Sequence, residues 1–105
     1  MSTTKDYLTY IIDQLSELDH IKHRQMMGEY IIYYKDKIAA YLCDNRVMVK
    51  PVPSALNMIP NARFEPPYEG AKDMIVIENA DDREFLTKLF NAMYDELPQP
   101  KKRGK

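Results

Sequence analysis

Apolar residues follow a helical period near both ends of this chain. In residues 4–18 they are three or four positions apart and form one stripe, made of Leu8, Ile11, Ile12, Leu15 and Leu18. In residues 81–97 a second stripe consists of Phe85, Leu86, Leu89, Phe90, Met93 and Leu97. Such stripes are typical of helices that bury one side. The sequence therefore predicts a helix towards each end of the fold.

Polar residues mark the beginnings of these two helices. Thr3 is followed three residues later by Asp6, and Asp81 by Glu84, and both pairs fit N-terminal caps. Pro98 cannot continue a helix, so we expect the second helix to end before it. Residues 99–105 are basic, and we expect them to form a frayed tail.

Between the helices, three short runs are rich in β-branched and aromatic residues. They span residues 30–34, 38–43 and 47–49 and are separated by polar breaks. Runs with this spacing indicate an antiparallel meander with tight turns. Both faces of the first run are apolar or aromatic, which favours helices on one face and a partner protein or a second copy of the chain on the other.

Prolines punctuate the segment that follows the meander. Residues 54–59 are predicted as a short helix with Pro53 in its first turn. Residues 61–72 are predicted as a long ordered loop or a short edge piece, and residues 74–77 as a fourth strand.

The predicted order is helix, three strands, short helix, strand and long helix. Because most strands are contiguous and the main helices are terminal, the order indicates an α+β fold, a two-layer sandwich with an antiparallel sheet, rather than a parallel βαβ sheet. A chain of 105 residues is about one small domain, which we expect residues 1–98 to form.

Composition narrows the classes of function. The net charge of −1 gives no global attraction to nucleic acid or to an anionic membrane. No apolar run approaches the roughly 20 residues of a membrane span, and the start lacks a signal peptide. The single cysteine, Cys43, excludes an internal disulfide and a cysteine-cluster zinc site. We therefore expect a reduced, cytoplasmic protein.

No residue pattern predicts catalysis, a metal or a cofactor. His20 and His23 are three residues apart but lack further ligands at a suitable spacing, so polar surface is the better interpretation. Cys43 lies in an apolar strand, where thiols are usually inert packing residues. Nucleophile elbows, phosphate-cradling glycine loops and dinucleotide fingerprints are missing from the sequence.

Motifs along most of the chain resemble the N-terminal domain of the TfoX/Sxy regulators of bacterial competence. The first part matches an arginine, a Met-Phe-Gly turn and a tyrosine-bearing strand, here Arg24, Met27, Gly28 and Tyr30. The later Pro-Pro-Tyr-x-Gly-Ala-Lys signature is matched by Pro66, Pro67, Tyr68, Gly70, Ala71 and Lys72. Met26-Met27 replaces Met-Phe, and Lys37 stands where the family has a turn glycine, so the first hairpin is expected to differ.

The resemblance implies a fold like the type III secretion chaperones and a regulatory role without known catalysis. The full-length regulators of this family are thought to act with the cyclic-AMP receptor protein at promoters. We therefore expect a stand-alone N-terminal module that acts through protein–protein contacts in transcriptional regulation, with the transcription machinery as partner and a homodimer as a further possibility.

The candidate binding residues are Arg24, Lys50, Tyr68 and Lys72, with Arg83 as a further member. If the loop at residues 66–72 folds over the end of the third predicted strand, the two lysines meet Tyr68 in a small pocket for an anion or a partner. The alternatives are that Tyr68 packs and that the cations pair with Glu29, Glu65 or Glu69. A small-molecule or anion-binding domain is thus the second hypothesis for the function.

Direct nucleic-acid binding is a weaker hypothesis. The eight tyrosines could stack bases on a sheet face. That mechanism also needs interleaved basic residues, and here these lie mostly at the turns. The basic tail offers only weak, salt-sensitive contact with phosphates.

Overall fold

The computed structural model of the protein describes residues 3–99. This part contains six strands, three α-helices and a short 3-10 helix at Tyr94–Glu96. The helices are α1 (Lys5–Gln14), α2 (Pro53–Met58) and α3 (Arg83–Met93). The strands are β1 (Ile21–Met26), β2 (Glu29–Tyr34), β3 (Lys37–Leu42), β4 (Val47–Val49), β5 (Arg63–Glu65) and β6 (Met74–Ile77).

All six strands form one sheet in the order β1-β2-β3-β4-β6-β5, and every neighbouring pair is antiparallel. The first four strands make a meander, and β6 then pairs with β4. The predicted α+β class is confirmed. For residues 61–72 the sequence left a loop or a short edge piece open, and the structure has the short edge strand β5 there. The predicted tail, residues 99–105, lies almost entirely outside the described residues.

The strand β1 is not in the sequence prediction, in which the sheet begins with the run at residues 30–34. Its sequence, IKHRQM, shows no apolar alternation, and every residue from Lys22 to Met26 is exposed. An edge strand that no layer covers has no buried side, so the periodicity that signals a strand is missing. The strand forms because β2 pairs with it over its whole length.

Three two-residue turns connect the strands of the meander. In each turn both central residues have positive φ, as in the type I′ turns that match the twist of a hairpin. The central pairs are Met27-Gly28 (53° and 85°), Lys35-Asp36 (50° and 71°) and Asp44-Asn45 (55° and 56°). Gly28 therefore belongs to a turn and not to a strand. Lys37 was predicted in the second turn but instead begins β3.

The helix caps lie one residue later than the sequence predicts. The Thr4 side chain accepts a hydrogen bond from Tyr7 N (3.1 Å), and Asp82 accepts one from Phe85 N (3.0 Å). Thr3 lies instead beside the sheet, where its hydroxyl is 2.8 Å from Glu29 Oε1. The helix α1 also ends at Gln14, four residues before the predicted end. Each cap still satisfies an amide that the helix cannot pair.

One face of the sheet and the three helices share a hydrophobic core. Its sheet side consists mainly of Tyr30, Ile32, Tyr34, Ala40, Leu42, Val47, Val49, Ile75 and Ile77. The helices contribute chiefly Leu8, Ile11, Ala55, Leu86, Leu89, Phe90 and Met93. A second, smaller cluster, Cys43, Met48, Met74 and Val76, lies on the other face of the sheet. The helices thus leave that second face to the strands and loops alone.

Candidate functional site

The face of the sheet opposite the helices, called here the open face, contains most of the residues predicted for binding. Directly paired residues of antiparallel strands point to the same face. Tyr41 pairs with Met48, and Met48 with Val76, and these belong to the cluster away from the helices. The same register adds Arg24, which pairs with Ile31. The open face therefore runs across the whole sheet.

Charged side chains cover the β4-β6-β5 side of the open face. The Arg46 guanidinium contacts the Glu65 carboxylate. Arg63 extends the chain of ion pairs, with Nε 3.2 Å from Glu65 Oε2 and Nη1 3.1 Å from Glu78 Oε2. We call these four residues the charged ladder. Because Arg63 and Glu65 pair with Val76 and Met74, the ladder lies beside the small cluster on the same face of the sheet.

Three of the four predicted binding residues come together next to this ladder. Lys50, Tyr68 and Lys72 line one groove of about 430 Å³. Its other walls are Tyr41, Pro51, Val52, Pro67, Ala71, Asp73 and Met74. The loop at residues 66–72 thus folds back beside the end of β4, in the arrangement that the sequence predicts. Whether the groove binds a ligand stays a prediction.

A glycine fixes the tip of this loop. Tyr68 O accepts a hydrogen bond from Ala71 N (3.1 Å), which closes a four-residue turn. Gly70 is the third residue of the turn and has φ = 88°, the value that a type II turn requires at this position. A Cβ at Gly70 meets nothing within 4 Å, so the backbone conformation, not a lack of space, selects glycine.

The alternative in which these residues only pack and pair does not match the geometry. The Tyr68 side chain is 63% exposed. Within residues 3–99, neither Lys50 nor Lys72 takes part in an ion pair. The predicted acceptor Glu65 is occupied by the charged ladder, and Glu29 accepts from Thr3 and from Asp44 N. The Asp73 carboxylate in the groove offsets part of the positive charge.

An apolar pocket of about 440 Å³ lies on the other side of Tyr68. Its lining, besides Tyr68, consists of Met26, Met27, Glu29, Tyr30, Ile31, Tyr41 and Cys43. Met27 is 95% exposed and Met26 45%. This pocket is not predicted from the sequence, although two consecutive methionines in an otherwise polar segment are a signal of it. Tyr41 and Tyr68 belong to both the groove and the pocket, so the two depressions are adjacent.

Two ionisable groups of the pocket, the Cys43 thiol and the Tyr41 hydroxyl, are held neutral. Burial, with a further contribution from Glu29, raises the pKa of the Cys43 thiol to about 11. Burial also raises the pKa of the Tyr41 hydroxyl, and Tyr68 adds to that rise. Cys43 is therefore a protonated thiol at neutral pH and not the thiolate that nucleophilic chemistry requires.

The two predicted arginines do not join the groove. Arg24 lies on β1, three strands from β4, which corresponds to about 14 Å at the usual strand spacing. Arg83 lies on α3 and pairs with Asp13, with Nη2 3.1 Å from Oδ2. Sequence order alone could not reveal this separation, because it depends on the strand order and on the side of the sheet that α3 covers.

The two histidines do not share a helical face. His20 precedes β1 with φ = 64°, and His23 lies in β1 with its ring edge towards Tyr30. Residues 3–99 contain no group of three or more His, Cys, Asp or Glu side chains that could hold a metal ion. In the same part of the chain, every helix is too short or too polar to cross a membrane.

Comparison with known proteins gives one family and one curated relative. The model of the TfoX N-terminal domain matches residues 13–94, which include all six strands and α3. A 12.7 kDa protein in the trpE 5′ region of Spirochaeta aurantia, itself uncharacterized, is 31% identical over 104 residues. That alignment covers 98% of this chain and 90% of the relative. No solved structure matches the chain significantly.

Proposed function

The chain belongs to the TfoX N-terminal domain family, and we propose that it is an interaction module that acts through protein–protein contacts in transcriptional, competence-type regulation. The family suggests a regulatory type of role and is not a family of enzymes. The partner belongs to the transcription machinery, and it docks at the open face of the sheet.

The observation that carries this proposal is the exposed apolar group on the open face. Met26, Met27 and Tyr68 are 45%, 95% and 63% exposed, and all three surround one pocket. Exposed apolar residues that cluster in this way are typical of interaction sites. Unbranched methionine side chains adapt to the shape of a partner, and tyrosine offers a large surface with a polar end. An apolar anchor side chain of the partner fits between them, against Tyr41.

A pull-down with matched variants tests this proposal. The tagged chain is incubated with lysate of its source organism, with and without nuclease. We expect capture of a transcription factor or a polymerase subunit that survives nuclease treatment, since apolar docking needs no nucleic acid. The double variant Met27→Ser/Tyr68→Ser should lose this partner.

The control variant is Tyr10→Ser/Leu56→Ser, which changes two exposed residues on the helices, 43% and 42% exposed, away from the pocket. It should retain the partner. Equal capture by both double variants contradicts docking at the pocket. A partner that is lost on nuclease treatment shows that nucleic acid is the tether, and an empty pull-down contradicts the protein–protein proposal as a whole.

A second candidate function is the binding of a small anion in the groove. Two lysines without ion pairs in the described part of the chain line it, next to the hydroxyl-bearing rings of Tyr41 and Tyr68. Such a groove suits a phosphate or carboxylate on an apolar body. Ligand at 100 times its Kd stabilises the native state by about 2.7 kcal/mol, so a thermal-shift screen of anionic metabolites can detect it.

Charge reversal separates a specific site from general electrostatics. Lys72→Glu should abolish the thermal shift, whereas Lys88→Glu, an exposed lysine on α3, should preserve it. If no anion in the screen stabilises the wild type, or if both variants respond equally, the groove is not an anion site.

A further inference from the structure

The strand β1 is an edge of the sheet that no helix or loop covers in the described part of the chain. The opposite edge, β5, has only three residues, and two of them, Arg63 and Glu65, belong to the charged ladder. By contrast β1 has six residues, pairs without a register shift and contains no proline. Proteins block sheet edges with short length, bulges, prolines or charged side chains. β1 lacks the first three, and its charged residues, Lys22 and Arg24, disfavour a cationic strand but not an acidic one.

The register shows which backbone groups of β1 point away from the sheet. In a two-residue hairpin the residues that flank the turn form a hydrogen-bonded pair. Cys43 and Arg46 show this across the third turn, with N–O distances of 3.0 Å in both directions. The equivalent pair across the first turn is Met26 and Glu29. Hydrogen-bonded and non-hydrogen-bonded pairs alternate along an antiparallel ladder, so the backbone groups of Arg24 and Lys22 also bond to β2.

The remaining residues, Ile21, His23 and Gln25, direct their N–H and C=O groups outwards. The bond from Lys35 N to His20 O (3.1 Å) continues the same alternation beyond the strand. Within residues 3–99, no side chain or loop bonds to the outward groups of these three residues. The edge therefore offers three donors and three acceptors in the spacing that another strand requires.

The charged side chains of this edge are both cations. Lys22 and Arg24 lie on the open face and are exposed, and β1 contains no carboxylate. The Lys22–Asp36 ion pair is 3.8 Å long and more than 70% exposed on both sides, so it holds Lys22 only weakly. If β1 paired with itself in a second copy, the register centred on His23 would place Lys22 opposite Arg24, and like charges would repel. An acidic strand would instead place carboxylates opposite Lys22 and Arg24, and these unlike charges would attract.

We propose that β1 is the docking edge for an extended acidic segment of a partner protein, which adds a seventh strand to the sheet. Its carboxylates, at alternate positions, pair with Lys22 and Arg24, and the next residue on the same face is apolar and contacts Met26 at the rim of the pocket. This inference rests on the proposed function, since it specifies the partner's chemistry at the surface where the partner docks.

Peptide selection on the purified full chain tests the edge. A display library of random twelve-residue peptides is selected against the wild type, and affinities of enriched peptides are measured by fluorescence polarisation. We expect two carboxylates separated by one residue, with an apolar residue two positions beyond. No enrichment, or enriched peptides without carboxylates, overturns the proposal.

The decisive variant is His23→Pro. Proline removes the outward N–H of His23, leaves the bonds from β1 to β2 intact, and blocks a strand that seeks to pair with the edge. We expect a loss of affinity of about tenfold or more, the equivalent of about one charge-assisted or two ordinary hydrogen bonds. The control His23→Ala retains the N–H and should bind within about threefold of the wild type. Equal affinity in the proline variant overturns the proposal.

A charge-reversal series remains informative if the proline variant does not fold. Lys22→Glu/Arg24→Glu should lose the acidic peptides by about tenfold or more and, in a fresh selection, enrich basic ones. Lys88→Glu is the matched control on α3 and should bind like the wild type. An unchanged affinity in the double variant overturns the acidic partner.

Two further outcomes identify other occupants. A dimer in light scattering that dissociates in His23→Pro shows a second copy at the edge and overturns the proposal. The second outcome is that the chain binds a single-stranded oligonucleotide. If that binding requires Lys22 and Arg24 but survives His23→Pro, nucleic acid is the occupant and the proposal is overturned, since such binding does not use the backbone of β1. In the pull-down, a partner lost by Met27→Ser/Tyr68→Ser but kept by His23→Pro overturns the edge and leaves the proposed function standing.

Discussion

The two faces of the sheet consist of alternate residues of the same strands, yet they exclude water in different ways. On the covered face, Ile32 and Leu42 are fully buried because the helices pack over them. On the open face, Met48 is equally inaccessible. There no helix covers the sheet: Tyr41 packs against the small cluster, and the charged ladder lies beside it on the same face.

The difference shows that burial alone does not identify a packed layer. A helix layer is continuous, whereas a ladder of four side chains occupies only part of the open face. Beyond it lie the groove at Lys50 and Lys72 and the pocket at Met26 and Met27. The open face therefore has a buried part beside the ladder and an exposed part around the groove and the pocket. Mutations on the two faces of the sheet should lower the free energy of unfolding by different amounts.

The largest loss of stability is expected from a mutation in the core of the covered face. Phe90 is 1% exposed and contacts Tyr34, with ring centroids 6.3 Å apart. Phe90→Ala should lower the free energy of unfolding by about 3–5 kcal/mol, because it removes apolar contacts and leaves a cavity. Met27→Ala, at a site 95% exposed, should change it by less than about 0.5 kcal/mol. Urea unfolding of both variants checks the contrast, and similar losses would show that the open face is packed like the core.

A smaller effect is expected at Lys37, a cation on the covered face. Its Nζ donates to Tyr94 O (3.0 Å) and lies 4.2 Å from the centre of the Tyr94 ring. Lys37→Ala should lower the free energy of unfolding by about 1–3 kcal/mol, since both the hydrogen bond and the buried stem are lost. Lys37→Met keeps the stem and should lose less. Equal losses in the two variants would show that the stem contributes nothing.

On the open face, the Cys43 thiol should make stability depend on alkaline pH. Burial raises its pKa to about 11, whereas an exposed thiol has a pKa of about 8.5. Between these values the unfolded chain releases a proton that the folded chain retains, so the free energy of unfolding falls as pH rises. From pH 8 to pH 9.5 the wild type should lose about 1 kcal/mol more than Cys43→Ala. Tyrosine ionisation is common to both chains, so parallel pH profiles would contradict the buried, protonated thiol.

The smallest effect is expected in the charged ladder. Glu65 contacts both Arg46 and Arg63, but its side chain is 37% exposed and water screens the pairs. Glu65→Gln should lower the free energy of unfolding by less than about 1 kcal/mol, and the loss should shrink in 1 M salt. Glu84→Gln, in an exposed pair with Lys88, is the control and should change it by a few tenths of a kcal/mol. A salt-independent loss above 2 kcal/mol at Glu65 would mean that the ladder is a packed layer.

The sequence predicted the elements that contribute apolar side chains to the core. The common core receives apolar residues from the stripes of α1 and α3 and from the strands β2, β3, β4 and β6. The spacing of these apolar residues along the chain therefore predicts the elements. The motif at residues 66–72 also predicted a groove around Lys50, Tyr68 and Lys72, and the structure brings these three residues together.

Other features depended on contacts between distant parts of the chain. The strand β1 has no buried face and exists through its pairing with β2, so its polar sequence looked like a loop. Arg24 and Arg83 were separated from the groove by strand order and by the side on which α3 packs. The methionine pocket required Tyr68, from the loop after β5, to lie beside the first hairpin.

Local patterns thus determined the α+β class and the helical and apolar strand segments, because hydrophobic burial and turn preferences act over a few residues. The tertiary structure alone decided the strand β1, the charged ladder and the adjacency of groove and pocket. These features arise where residues far apart in sequence meet, such as Arg46 with Glu65 and Tyr41 with Tyr68, and nothing in the local spacing encodes such meetings.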